Sequence, residues 1–86
     1  MPGVEDVKLH ITASVDDAEQ ALLGMRAVAG RLDEMLGRLR AATTGSVHPR
    51  VAEAIGEIEL ARQKLDDVQT LTLAGIEAAQ SYRAVI

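Results

Sequence analysis

The chain has 86 residues, no cysteine, a net charge of −4, and 48% hydrophobic residues with a single aromatic, Tyr82. That is room for one small domain without disulfide support, its core built from Leu, Ile, Val, Met and Ala, which is the chemistry of packed helices rather than of a β-sandwich. The nine basic residues are dispersed among thirteen acids, which argues against phosphate neutralisation and so against nucleic-acid binding.

The opening "MPGVEDVKLHI" carries acids where a secretion signal carries base. The longest apolar-leaning stretch, "VQTLTLAGI" between Asp67 and Glu77, is too short to span a bilayer. The expectation is a cytoplasmic protein, or one exported without a cleavable signal peptide, that does not insert in a membrane. Val7, Leu9, Ile11 and Ala13 alternate with Lys8, His10, Thr12 and Ser14, the two-residue period of a half-buried strand. Val4, Val7 and Ile11 also fit one face of a helix. Because "SVDD" reads as a helix start, with Ser14 capping and Asp17 three residues on, residues 1–13 are expected to form a short extended arm.

A first helix is expected over 14–42. Val15, Ala18, Leu22, Met25, Ala29, Leu32, Leu36 and Leu39 follow alternating steps of three and four without a miss, and Ala21, Val28 and Met35 widen the stripe on one flank. Arg38 and Arg40 suit the helix end, with Gly45 available as terminator.

The polar break "ATTGSVHPR" contains the turn, residues 43–48. Pro49 disfavours helical geometry at His48, so Val47 and His48 should run extended before a second helix opens with proline in its first turn. So short a connection implies an antiparallel hairpin. The second helix, 49–84, is expected to turn Val51, Ile55, Ile58, Ala61, Leu65, Val68, Thr72, Gly75/Ile76, Ala79 and Tyr82 inward. The fold class is therefore all-α, an antiparallel two-helix hairpin in a single domain. A lone hairpin leaves the flanks of both stripes wet, so two are expected to join as a coiled-coil-like four-helix bundle. The expected core and interface residues are Leu22, Met25, Leu32, Leu36, Leu39, Ile55, Ile58, Leu65, Val68, Ile76, Ala79 and Tyr82. Leu23, Leu60, Leu71 and Leu73, off the main stripes, are candidates for the second contact.

No catalytic constellation stands out. His10 and His48 fall near opposite ends of the hairpin, the acids lack the helical E-x-x-H spacing of diiron bundles, and "TTGS" lacks the lysine and strand of a phosphate loop. Glu34 with Arg38, Glu59 with Arg62, and Arg62 with Asp66 are instead the near-neighbour pairs of a solvated helix face. No catalytic residue, metal ligand or cofactor is expected.

The hairpin, with Thr43 to Gly45 ("TTG") in its turn, resembles the WXG-type family of small proteins exported by ESX, or type VII, secretion systems. Gly45 matches the glycine of that family's W-x-G turn and Thr43 stands in place of its tryptophan. The opening "VKLHITASVDDAEQAL" looks like the family's apolar-alternating arm and capped acidic first turn. Ile86 stands four residues after Tyr82, where the family's Y-x-x-x-D/E export motif has an acid. The resemblance implies pairing with itself or with a homologous helical protein. Its departures imply a partner or targeting chaperone that accompanies a larger toxin-like substrate. The competing reading is a self-assembling scaffold or adaptor, such as a shell, filament or phage component, unrelated to secretion.

Overall fold

The computed structural model describes residues 3–45 and 48–86, which form two helices, α1 (Val4–Ala42) and α2 (Pro49–Val85), packed against each other as a hairpin. α1 starts ten residues earlier than the sequence reading has it, so there is no extended arm over the described residues 3–13. The backbone N–H of Gly3 donates to Asp6 Oδ2 at 3.3 Å, and Glu5 and Asp6 place negative charge in the first turn, so the helix start lies here rather than at Ser14. Ile11 and Val7 stand four and eight residues before Val15, and both are half-buried. Leu9, which completes the two-residue alternation, is 69% exposed, so the strand-like pattern corresponds to no buried face.

At the other end of α1 the Thr43 backbone N–H and hydroxyl both donate to the carbonyl of Leu39, closing the last turn. Gly45 follows at φ +82°, left-handed geometry that a residue with a Cβ rarely adopts. His48 is extended, with φ −69° and ψ 129°, as the residue before a proline tends to be; Val47 lies outside the described residues. His48 Nδ1 accepts from the Arg50 backbone N–H at 3.1 Å, which caps α2 behind Pro49.

The helices meet along a seam of strict seven-residue repeats. On α1 the buried residues Val15, Leu22, Ala29 and Leu36 stand seven apart, and half-buried Ala18, Met25, Leu32 and Leu39 fall between them. On α2 the half-buried line is Val51, Ile58, Leu65, Thr72 and Ala79, with Ile55 and buried Ile76 between. A repeat of 3.5 residues keeps one stripe of each helix on its neighbour along its whole length, the geometry of a coiled coil. The product is a rod of 64 × 18 × 15 Å with a radius of gyration of 19.4 Å, against about 12 Å for a compact domain of this length. Among the described residues five are buried, and none is less than 2% exposed.

Candidate functional site

The two sides of the seam differ in chemistry. Beside it on α1 run Glu19, Arg26, Asp33 and Arg40 on one side, and Ala21, Val28, Met35 and Ala42 on the other. Antiparallel pairing puts Glu59 and Asp66 of α2 on the first side, and Ala61, Val68, Gly75 and Tyr82 on the second. Cross-helix ion pairs confirm the charged side: Arg40 meets Glu59, and Arg62 Nε lies 2.9 Å from Asp33 Oδ1. The surface grooves divide the same way. One brings Thr12 and Glu19 together with Gln80 and Arg83, whereas another brings Ser14 together with Gly75 above the seam residues Val15, Ala18, Ile76 and Ala79.

The uncharged side forms a continuous apolar face. Val28 and Met35 are 49% and 45% exposed there, with Val68 and Tyr82 facing the same way at 44% and 53%. At its outer edge on α2, Leu71 and Val85 are more exposed still. Toward the turn the face deepens into an open groove of about 540 Å³, floored by Met35, Leu39 and Ala42 and edged by Arg31, Glu34 and Arg38.

The expected interior of α2 requires correction. Ala61, Val68 and Tyr82 stand outside the seam, and Arg62 and Gln69 occupy the seam positions next to them. The cause is a second seven-residue repeat. Val68, Leu71, Gly75, Ala78, Tyr82 and Val85 make their own run of steps of three and four, and the sequence stripe passes from one repeat to the other. Arg62 is tolerated in the seam because its stem packs there while its guanidinium reaches Asp33 and Asp66. These hydrogen bonds, to Asp33 first and Asp66 second, raise its pKa above the ordinary arginine value. Gln69 turns its amide back to the carbonyl of Leu65 at 3.5 Å. The Arg62–Asp66 pair is legible in the sequence, but the seam position of Arg62 is not.

Of the four off-stripe leucines, Leu71 alone borders the apolar face. Leu73 shares the charged side with Glu59 and Asp66, and Leu23 and Leu60 lie on the outer surfaces of their helices. Glu59 pairs with Arg40 across the seam. His10 and His48 sit near opposite ends of the rod, and among the described residues no three His, Asp or Glu gather as metal ligands. No helix of the described residues is long and apolar enough to cross a membrane. Compared with known proteins, the chain matches no family model, no curated protein and no solved structure.

Proposed function

We propose that this protein is a non-catalytic helical interaction module that works by pairing its apolar face with another helical hairpin, either its own copy or a homologue. The observation that carries this reading is the uncovered face itself, an apolar stripe along a rod 64 Å long whose other side is closed by ion pairs. Isolated surface leucines need no partner, but a contiguous apolar stripe does. Light scattering over a concentration series tests it. A stable, concentration-independent dimer is the expected result, and a well-folded monomer that binds no helical partner overturns it.

Within that reading, the TTG turn and the hairpin shape favour a WXG-like partner or chaperone associated with type VII-style secretion, serving a larger toxin-like substrate. Deleting the protein in its native host should remove such a substrate from the medium. Unchanged secretion would sink the pathway half of the reading.

One observation favours the scaffold alternative. Val4, Leu9 and Val85 are 51%, 69% and 81% exposed at the open end of the hairpin, where rods meeting end to end would cover them. Mass that grows without limit on concentration would select this reading.

A further inference from the structure

We propose that the turn of the hairpin is an acid-sensitive joint: His48 holds the first turn of α2 in place only as the neutral imidazole, and protonation of that ring releases it. Such a joint works within a single hairpin, independently of whatever covers the apolar face.

The two helix starts are built from different chemistry. α1 begins with a carboxylate, Asp6, that accepts from the Gly3 N–H, and with a second acid, Glu5, beside it. α2 has no acid in its first turn. Pro49 brings no N–H, so the first backbone donors of α2 belong to Arg50 and Val51. His48 receives both, the Arg50 N–H on Nδ1 at 3.1 Å and the Val51 N–H on its carbonyl oxygen at 3.0 Å. Among the described residues, Nδ1 is the one acceptor that the Arg50 N–H has.

An imidazole nitrogen accepts a hydrogen bond only while it keeps its lone pair. On protonation Nδ1 gains a hydrogen of its own and meets the Arg50 N–H as donor against donor. The ring also becomes a cation at the positive end of the helix dipole, two residues from Arg50. The charged groups at this end of the rod do little to offset it. On α2, Arg50 Nη1 lies 3.5 Å from Glu53 Oε2, so the nearest acid already has a cation; Glu57 stands a turn further on, and Glu59 is held by Arg40 of α1. Arg38, the other charged residue near that end of α1, has the same sign as the protonated ring.

The turn that is released contains Val51, half-buried and the seam residue of α2 nearest the connection. Loss of the cap therefore loosens the end of the seam as well as exposed backbone. Of the two cap chemistries, only an imidazole ordinarily changes charge between about pH 8 and pH 5. The unfolded chain takes up the proton without giving up a hydrogen bond, so the stability due to the cap is fully present on the alkaline side of that range and is lost as the pH falls through it.

His10, exposed on α1, is the only other histidine. Replacing His48 by asparagine keeps a side-chain acceptor that does not titrate. From about pH 7.5 to about pH 5.5 the melting temperature of the wild type should fall by about 4 °C more than that of His48→Asn, and His10→Gln should behave as the wild type. The acids of the ion pairs are common to all three proteins and cancel in the comparison. Amide NMR of the wild type gives a second reading that needs no variant: the Arg50 N–H resonance should move with the same midpoint as the His48 ring. Parallel melting of the wild type and His48→Asn, or an Arg50 resonance indifferent to the state of His48, would overturn the acid-sensitive joint. So would a pH response that vanishes in His10→Gln, which would place its origin on α1.

Discussion

Arg62 reaches from the seam of α2 to Asp33 on α1, Nε to Oδ1 at 2.9 Å, while its Nη1 donates to Asp66 on its own helix. Its side chain is 26% exposed, whereas the two aspartates remain more than half exposed, so the charge lies at the rim with the stem beneath it. The neighbours of Asp33 on that line of α1 give the contact its meaning. Seven residues to either side stand Arg26 and Arg40. A slip of the hairpin by one heptad in either direction would set Arg62 beside an arginine. The apolar seam, being periodic, tolerates such slips; this contact opposes them.

Replacing Arg62 by methionine should therefore leave helicity and melting temperature close to those of the wild type, since exposed ion pairs contribute little, while weakening the salt dependence of stability. Arg62→Glu should lower the melting temperature, because it faces Asp33, Asp66 and nearby Glu59, and Asp33→Arg in the same chain should restore part of the loss. Thermal melts of the three variants at low and high salt provide the check. Equal melting of all three would mean that Asp33 and Arg62 do not interact in solution.

Leu36 is 5% exposed, the last of the four buried residues of the α1 repeat before the turn. Leu36→Ala should cost about 2–4 kcal/mol, a large share of the total stability expected of so short a chain. Leu36→Asp should abolish helicity and association together, because the carboxylate has no partner in the seam. Urea denaturation followed by circular dichroism measures both; wild-type stability in Leu36→Asp would place the seam elsewhere.

A substitution on the apolar face should behave differently from one in the seam. Val68→Glu adds a charge where a partner packs and leaves every α1–α2 seam residue in place. The expected outcome is at least a tenfold weaker association, with helicity that becomes concentration-dependent. Sedimentation or light scattering at two concentrations reads it. Unchanged mass would show that Val68 faces water in the assembly as it does in the single hairpin.

The contrast between these two positions also explains what was legible in the sequence. The α1 stripe from Val15 to Leu39 can be read directly because its apolar repeat is unbroken and its flanks differ from it in chemistry. The turn is readable because Gly45, His48 and Pro49 restrict the backbone locally. α2 is harder, since its seam admits Arg62 and Gln69 while Val68 and Tyr82 continue a second repeat beside it. Hydrophobicity alone cannot say which of two apolar stripes faces the intramolecular neighbour. Ser14 misleads for a related reason: its cap-like spacing to Asp17 is real, but a helix already begun at Val4 leaves no free N–H groups for it to cap.

Gly45 is left-handed, with φ +82°, and a Cβ there would meet open space, so its requirement is one of backbone rather than of room. Gly45→Ala should destabilise the hairpin by about 1 kcal/mol, and Gly45→Asn by less, since asparagine tolerates this geometry better. A bulkier Gly45→Trp should cost no more than alanine does. Equal stability of glycine and alanine would show that the turn has another conformation open to it.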